Sequence, residues 1–435
     1  MLSLFFLAFA VRLAASLVAA DGFLSTDGVD YRDIAENIAH GNGISVSHFR
    51  WFEPQKHLDP PPATSLHADA YRPPLLPILG AGLFYLPVDW TLAARILIAL
   101  LGAALALAVA RIAERMHGPG AGLAAGALAA FEPYSVFYST RWSTEILCAV
   151  TLWWGVAGLL AFSSVPSRRV TVATGLVLAG ACLARPNMLV VVPMALAAVA
   201  IRGNRANRRS LLLVLGLVIA VVGVWTVRNV SAFGVATPAT CFGPYNFWLG
   251  MNDRIYEMYA GDLNEQEFAD NLRDLYAVDS RQHVLHLARE RVTSPAETNA
   301  YWKHEGLAYM RKEPGKAASI LVHRAAHYFR LAPFDAAAGP RTRLLSTVVV
   351  GSLLSLSLIA LITVRSSRRL VFLSLVIGSW LVSMPFIFHL RFRFPVVNPM
   401  LCILAGVAIM ELTRRVQSSR RTRPEEVAPR DQLAE

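Results

Sequence analysis

The chain has 435 residues, a formal net charge of +11 and a hydrophobic content of 55%. Only 16% of its residues are charged, against about 25% in a typical soluble domain, and its mean hydropathy is +0.44. These values exclude an ordinary soluble enzyme, a disordered protein and an outer-membrane barrel, whose strands alternate apolar and polar residues. The class that remains is an all-α, polytopic integral membrane protein.

The apolar runs predict the spans. The first run, residues 2–20, lacks the basic start of a signal peptide and contains Arg12, so we interpret it as an uncleaved helix. Because a span needs about 20 apolar residues, ten spans are predicted. The other nine runs are residues 91–112, 121–138, 144–162, 170–183, 188–201, 211–227, 344–364, 370–388 and 395–412.

The excess of positive charge indicates the topology rather than a nucleic-acid partner. Arginines collect on cytoplasmic loops, and here they cluster at residues 111–115, 168–169, 202–209, 365–369 and 414–423. All clusters are cytoplasmic only if the short run at 74–88, which contains three prolines, does not cross the membrane. We expect that run to be re-entrant or interfacial. Residues 21–72 and 228–343 then face outward, and the first of these loops contains a predicted amphipathic helix from Tyr31 to Ala39.

Two acidic residues are candidates for chemistry, because ionisable groups at membrane depth are costly. Asp27 follows the first span and Glu145 opens the fourth. Each is also explained as a helix-start acid. The topology nevertheless places both on the outer face, where two acids make a plausible site.

Arginines on the outer face are the second group of candidates. Arg391 and Arg393 form a basic pair against the usual trend, and a guanidinium fork matches phosphate oxygens. Snorkelling to lipid headgroups is the alternative explanation. Arg72, just before two prolines, is a further anion ligand, and Arg228 is explained almost as well by helix-end anchoring. The histidines of the first loop show no recognisable metal-ligand spacing.

These residues, in this order, resemble a known family. The polyprenyl-phosphate-sugar glycosyltransferases of the GT-C fold include protein O-mannosyltransferases and the lipid A aminoarabinose transferase. The resemblance covers nearly the whole chain. It is carried by Asp27-x-x-x-Tyr31-x-x-x-Ala35, Gly41-x-Gly43, Arg72-Pro73-Pro74-x-x-Pro77, Thr144-Glu145, Arg185-Pro186 and Arg391-Phe392-Arg393-Phe394-Pro395.

The resemblance implies a GT-C-type bundle of about ten transmembrane helices, with short amphipathic helices in the outer loops. It implies an inverting hexosyl- or pentosyltransferase that uses a polyprenyl-phosphate-linked sugar at the extracytoplasmic face. Separately, the richness in alanine and arginine and the lack of a retention signal suggest a bacterial inner membrane. The acceptor is then a protein, lipid or glycan, and membrane lipids are the other partners. A transporter or lipid flippase, or a non-catalytic envelope scaffold, is the alternative.

The resemblance also assigns site residues. Asp27 falls on the catalytic acid and Glu145 on the second acidic position, while Arg391 and Arg393 fall where the lipid phosphate binds. Tyr31, Arg72 and Arg228 are assigned to substrate binding. Asp30 is expected to matter less than Asp27. Some branches of the family place a metal-binding carboxylate where Tyr71 stands here, so a divalent metal is possible but not supported.

The predicted organisation has four parts. Residues 1–228 form an amino-terminal transmembrane catalytic module that includes the first outer loop at 21–72. Residues 229–343 form an outer region, residues 344–412 form the carboxy-terminal membrane helices, and residues 413–435 form a cytoplasmic basic tail.

Overall fold

The computed structural model describes residues 1–19, 22–24, 26–60, 66–163, 167–202, 205–261, 265–331, 339–364, 369–386 and 390–421. In these ranges the chain is helical apart from turns and one short antiparallel sheet, in which β1 (Ser45–Val46) pairs with β2 (His67–Ala68). Two predicted features lie outside the described residues, namely the tail beyond residue 421 and most of the arginine cluster at 365–369.

The helices up to residue 233 range from 7 to 29 residues in length. They are α1 (Leu2–Val18), α2 (Thr26–Ala39), α3 (Leu75–Leu83), α4 (Trp90–His117), α5 (Pro119–Phe131), α6 (Pro133–Ser139), α7 (Thr144–Leu160), α8 (Arg168–Ala184), α9 (Met188–Arg202) and α10 (Arg205–Phe233). The remaining helices are α11 (Gly243–Gly250), α12 (Asp253–Ala260), α13 (Glu265–Asp274), α14 (Ser280–Arg289), α15 (Pro295–Lys312), α16 (Pro314–His327), α17 (Pro340–Thr363), α18 (Arg369–Ser383) and α19 (Leu390–Arg421).

Several of these helices are suited to a membrane. Four of them, α4, α10, α17 and α19, are long and apolar enough to cross it, by length and composition. Shorter apolar helices accompany them, namely α1, α5, α7, α9 and α18. The chain is therefore a multi-pass integral membrane protein with an all-helical bundle, as the sequence predicted. The count of ten spans, which includes α8, stays a prediction.

One predicted span, at residues 121–138, is divided into two helices. α5 ends before Glu132 and α6 begins at Pro133, because proline restricts the residue before it to extended backbone, and Glu132 has φ −59° and ψ 120°. The Glu132 carboxylate accepts hydrogen bonds from the backbone amides of Tyr134 and Ser135, at 3.1 and 2.7 Å. α6 therefore starts with its own cap inside the bundle.

α4 and α19 form the centre of the bundle. α4 packs against α1, α5 and α7, and α19 packs against α5, α7, α17 and α18. α5 and α19 approach closely because Gly406 lies against Ala125, where an added Cβ would stand 2.5 Å from the Ala125 backbone nitrogen. Small residues permit such close contact between membrane helices.

The two ends of the bundle bring different parts of the chain together. At one end the last turns of α4 and α19 meet, where Arg414 donates to the ring and the carbonyl of His117 at 3.2 and 3.3 Å. There Arg115 also donates to the carbonyl of Ala157, near the end of α7, at 2.7 Å. At the other end lie the starts of α2, α7 and α19 and the end of α8. The positive-inside rule predicts that the first end is cytoplasmic and the second is outer.

The residues between α10 and α17 form a helical region with its own core. α11 packs against α15, and α12 against α16, around buried aromatic residues that include Tyr245, Trp248 and Trp302. The first loop joins this core through Phe52, and Gln55 donates a hydrogen bond to the carbonyl of Thr293 at 2.6 Å. Two segments that are distant in sequence thus form one layer at the end of the bundle.

The first loop contains the predicted short helix, α2. Tyr31, Ile34 and Ala35 are buried, and Gly41 and Gly43 follow the helix with φ of 81° and 69°, a conformation that favours glycine. α3 packs against α2 and has nine residues, about 14 Å of helix. Because the hydrocarbon core is about 30 Å thick, α3 is too short to cross it as a single helix.

We predict that both sides of α3 are reached from the outer face. Cysteine is introduced at exposed Lys56, before α3, at exposed Val88, after it, and at exposed Arg111 as a cytoplasmic control. The four native cysteines are buried, which keeps the background low. A membrane-impermeant maleimide applied to intact cells should label the first two variants and not the third. Labelling of K56C but not V88C before permeabilisation would contradict the prediction.

Candidate functional site

Asp27, in the first turn of α2, lies between two guanidinium groups. Its Oδ1 is 3.0 Å from Nη2 of Arg72, which directly precedes the prolines that lead into α3. Its Oδ2 accepts a hydrogen bond from Nη1 of Arg391, at the start of α19, at 2.9 Å. The structure therefore brings together three residues that the sequence analysis selected separately.

The charge of Asp27 is fixed by these neighbours. Burial alone would raise the pKa of the Asp27 carboxyl, but Arg72 and Arg391 outweigh burial and hold that pKa well below its ordinary value. A carboxyl group with opposite charges within about 4–6 Å is expected to behave in this way. Asp27 is consequently a carboxylate throughout the physiological pH range.

The second acid, Glu145, is adjacent to this centre. It lies in the first turn of α7, and its Oε1 is 3.0 Å from Nη1 of Arg185, with both side chains buried. Arg185 follows α8, and its guanidinium lies 5.2 Å from the ring centroid of Phe392. Its Nη1 also lies 3.4 Å from the Arg391 carbonyl. Glu145 therefore holds a basic residue that contacts the start of α19.

Arg72 contacts two further acidic residues besides Asp27, namely Asp30 and Asp69. Its Nε and Nη2 lie 2.8 and 2.7 Å from Oδ2 of Asp30, and its backbone amide donates to Oδ2 of Asp69 at 2.8 Å. Burial would raise the pKa of the Asp30 carboxyl, but Arg72 and Arg50 outweigh burial and lower it. Asp30, expected from the sequence to matter less, is thus a structural partner of the centre.

Two predicted site residues lie elsewhere. Arg393 is buried, and its Nη1 donates to the carbonyls of Tyr328 and Arg330 at 2.8 and 2.6 Å. Arg228 donates through Nη1 to the Asp69 carbonyl at 2.6 Å and through Nη2 to the Ile44 carbonyl at 2.8 Å. Their guanidinium groups contact backbone carbonyls, and of the predicted pair Arg391 is the one that contacts Asp27. The assignment of Arg228, Arg391 and Arg393 to substrate binding stays a prediction.

Two tyrosines border the centre. Tyr31 is buried beneath Arg72, whose guanidinium lies 5.8 Å from the ring centroid, and burial raises the pKa of its hydroxyl. Tyr276, in a π-helical turn at Leu275–Asp279, was missed by the sequence analysis. Burial raises its pKa to about 12, with Arg391 opposing and Asp27 adding to that rise. Such turns are frequent at functional sites, but no sequence signal marks this one.

Arg50 and Asp69 were also missed. Nη2 of Arg50 donates to Oδ1 of Asp69 at 2.7 Å, and both side chains are buried. Asp69 stands three residues before Arg72, close enough to cap that turn, and this spacing is the only signal in the sequence.

The carboxylates of the centre do not form a metal site in the described residues. In that part of the chain, no group of three or more histidine, cysteine, aspartate or glutamate side chains is placed to hold a metal ion. Both oxygens of Asp27 already contact guanidinium groups. Tyr71 is half-buried, and the guanidinium of Arg50 lies 5.6 Å from its ring centroid. The described residues around Asp27 therefore do not suit a divalent ion.

Comparison with protein families adds one match. The model of the dolichyl-phosphate-mannose-protein mannosyltransferase family matches residues 71–227. This segment contains Arg72, Glu145 and Arg185, whereas Asp27 and Arg391 lie outside it. No curated protein sequence matches the chain.

Solved structures show a similar fold. Two are of the oligosaccharyltransferase of Archaeoglobus fulgidus, one tethered with an acceptor peptide containing the NVT sequon and one, named AglB, in complex with an inhibitory peptide and a dolichol-phosphate. Both are 13% identical to this chain, with TM-scores of 0.54 and 0.52, and both alignments cover 97% of this chain and 51% of theirs. The chain thus spans about half the length of these enzymes.

ArnT from Cupriavidus metallidurans, bound to undecaprenyl phosphate, is a third similar structure, with 14% identity over 96% of this chain and 79% of its own. Its TM-score is 0.39, and no conclusion rests on it. The family model and the fold together confirm the resemblance seen in the sequence: the chain has the GT-C-type bundle of integral-membrane glycosyltransferases and matches the dolichyl-phosphate-mannose-protein mannosyltransferase family over residues 71–227.

Proposed function

We propose that this protein is a membrane glycosyltransferase that moves a sugar from a polyprenyl-phosphate-linked donor to an acceptor hydroxyl, with inversion, at the extracytoplasmic face. The observation that carries the proposal is the position of Asp27, one carboxylate between two guanidinium groups. The family match and a fold shared with an enzyme that binds dolichol-phosphate support the same reaction class.

The guanidinium groups of Arg72 and Arg391 differ in their contacts and in their exposure, which suggests separate roles. Arg72 is held at its side chain by Asp30 and at its backbone by Asp69, and its side chain is 12% exposed. The Arg391 side chain is 41% exposed. Arg391 is therefore the group that a phosphate can reach, and a planar guanidinium matches phosphate oxygens in pairs.

The chemistry follows from this arrangement. The acceptor hydroxyl attacks the anomeric carbon from the face opposite the phosphate, the carbon–oxygen bond to the phosphate breaks, and Asp27 takes the hydroxyl proton. Negative charge develops on the leaving phosphate, where Arg391 stabilises it. Because attack and departure are on opposite faces, the configuration of the sugar inverts.

Donor binding would also adjust the base. A carboxylate with a very low pKa is a weak base, and general bases work best with a pKa near the operating pH. A donor phosphate that attracts Arg391 weakens one of the two contacts that lower the pKa of Asp27. The pKa of Asp27 then rises toward its ordinary range while the donor is present. The carboxylate is therefore a stronger base when the acceptor hydroxyl loses its proton.

Glu145 is proposed as a positioning acid. Its contact with Arg185 fixes a cation against the first turn of α19, and this arrangement orients Arg391. Tyr31 supports Arg72, and Tyr276 is placed to contact the bound sugar or acceptor. Arg228 and Arg393, first assigned to substrate binding, hold backbone carbonyls of the outer layer instead.

The wider setting is proposed on the same basis. The donor tail lies among the apolar helices, the acceptor is a protein, lipid or glycan, and the membrane is a bacterial inner membrane. Residues 1–228 supply the catalytic module, residues 229–343 the outer layer above the site, and residues 344–412 the helices that deliver Arg391. Neither the comparisons nor the geometry favours a transporter or flippase.

We predict that Asp27→Asn abolishes transfer while donor binding persists. Asparagine keeps the shape and still caps a helix start, but its amide does not accept a proton at neutral pH. The turnover rate should fall about 10²- to 10⁴-fold, measured in membranes with defined polyprenyl-phosphate sugars.

The matched control for Asp27 is Glu36→Gln, on the exposed face of the same helix. It should behave as wild type. Asp30→Asn should also lose activity, because Asp30 holds Arg72. Near-normal transfer by Asp27→Asn would remove the base assignment and leave a capping role for this residue.

We further predict that Arg391→Ala and Arg393→Ala fail in different ways. Arg391→Ala should raise the donor KM or lower kcat with little change in thermal unfolding, because the side chain is partly exposed. Arg393→Ala should lower the unfolding temperature, since each buried carbonyl left without a donor costs about 1–3 kcal/mol. Donor-dependent kinetics and thermal unfolding in detergent separate the two. If Arg391→Ala and Arg393→Ala showed the same kinetic defect and the same unfolding temperature, the different roles assigned to the two arginines would be contradicted.

A further inference from the structure

We infer that Arg50 is a positioning residue that holds Arg72 against Asp27 through a set of buried carboxylates. The inference rests on the proposed function, in which Asp27 is the base, and extends it to a residue of the first loop that does not touch the reacting groups. We call Arg50 and its three acidic partners, Asp30, Glu53 and Asp69, the loop network.

The guanidinium of Arg50 is the centre of the loop network. Its Nε donates to Oδ2 of Asp30 at 2.6 Å, its Nη2 to Oδ1 of Asp69 at 2.7 Å, and its Nη1 lies 3.4 Å from Oε2 of Glu53. The Arg50 side chain is 4% exposed. Burial would lower the pKa of Arg50, but the three carboxylates outweigh burial and raise it. Its charge is therefore permanent.

Two of these carboxylates continue to Arg72. The same Oδ2 of Asp30 that accepts from Arg50 also contacts Nε and Nη2 of Arg72, at 2.8 and 2.7 Å. The second oxygen of Asp69 accepts from the Arg72 backbone amide at 2.8 Å. Nη2 of Arg72 is also the atom that lies 3.0 Å from Asp27. The side chain and the backbone of Arg72 are thus both fixed by groups that Arg50 holds.

Loss of the guanidinium fork of Arg50 would disturb this arrangement electrostatically. Three different nitrogens of the fork contact the three carboxylates, and a lysine ammonium does not reproduce this geometry. Carboxylates that lose their contact repel one another, and a buried charge is tolerated only when it is paired. Asp30 and Asp69 would then compete for Arg72 or shift apart. Two histidines also contact the network, His48 at 3.1 Å from Asp30 and His67 at 3.2 Å from Glu53. Each of these contacts joins one carboxylate of the network, whereas Arg50 contacts all three.

A displacement of Arg72 would change the pKa of Asp27. The charged and titratable groups that act on Asp27 are Arg72, Arg391, Arg185, Glu145, Tyr31 and Tyr276. Of these, Arg72 is the one that Asp30 and Asp69 hold. When Arg72 moves away, the pKa of Asp27 rises, because its largest favourable charge contact weakens. A purely structural role for Arg50 would not produce this specific change.

The test measures protonation of Asp27 directly. A water-soluble carbodiimide activates the protonated carboxyl group, and peptide mass spectrometry locates the label at Asp27 in the full-length protein in detergent. The variants are Arg50→Lys, which keeps the charge but not the fork, and Asp69→Asn, which keeps the shape. The control is Arg32→Lys, an arginine of α2 whose guanidinium lies over the Trp90 ring at 5.4 Å.

We expect Asp27 in both test variants to be labelled about tenfold faster at pH 5 than in wild type, which is the change for a rise of about one pKa unit. Arg32→Lys should match wild type. Transfer by the test variants should show a kcat lowered about 10- to 100-fold, with the donor KM unchanged because Arg391 is intact. Asp69→Asn keeps the experiment decisive if Arg50→Lys does not fold.

Identical labelling of Asp27 in folded wild type, Arg50→Lys and Asp69→Asn would overturn the inference. A rise in labelling of Asp27 that Arg32→Lys shows equally would overturn it too, since the cause would then be a general loosening of the first loop. The labelling result does not depend on transfer. Failure of wild type to transfer any lipid-linked sugar would therefore reject the proposed function and leave the labelling test of Arg50 in force.

Discussion

The carboxylate of Asp27 contacts two guanidinium groups that come from opposite parts of the chain, and the rest of the architecture is what allows them to meet. Arg391 is 364 residues away in sequence, and its approach requires the start of α19 to lie beside the start of α2. Withdrawing these charges from water is costly unless each finds a close partner. The packing of α19 against α5 and α4, and of α4 against α1, supplies that proximity. The ion pairs of Asp27 therefore depend on the topology of the bundle.

The need to give each buried polar group a partner also explains the break between α5 and α6 in the middle of the bundle. A break between α5 and α6 leaves unpaired carbonyls on one side and unpaired amides on the other, where no water is available to satisfy them. Arg12, fully buried in α1, donates to the carbonyls of Ala129 and Ala130 at 2.7 and 3.1 Å. Glu132 accepts from the amides of α6, and Asn398 in α19 donates to Glu132 at 3.0 Å. Arg12, a charged residue within the first predicted span, thus satisfies carbonyls that the break leaves unpaired.

Sequence reasoning succeeded where periodicity or a local motif carries the information. Apolar runs gave the helices of the bundle, and the spacing of Tyr31 and its neighbours gave α2. It failed for Arg50, because Arg50 and its partner Asp69 follow strands of two residues each, which have no periodic signal. The sequence also did not show that Arg391 and Arg393 have different partners. Both lie inside α19, and residues two apart on a helix point to different sides, so one faces Asp27 and the other does not.

That difference gives the two arginines of the Arg-x-Arg segment different partners. Arg393 ties the first turn of α19 to the carbonyls after α16, and Arg324 in α16 donates in turn to the carbonyls of Met384 and Gly250. Arg228 does the same for the first loop. Arginines therefore join the outer layer to the bundle by satisfying carbonyls where the chain turns. Arg391 differs from them because it is partly exposed and pairs with a carboxylate instead of a backbone carbonyl. Its neighbours fix the helix that carries it, which leaves its own guanidinium available to an anion.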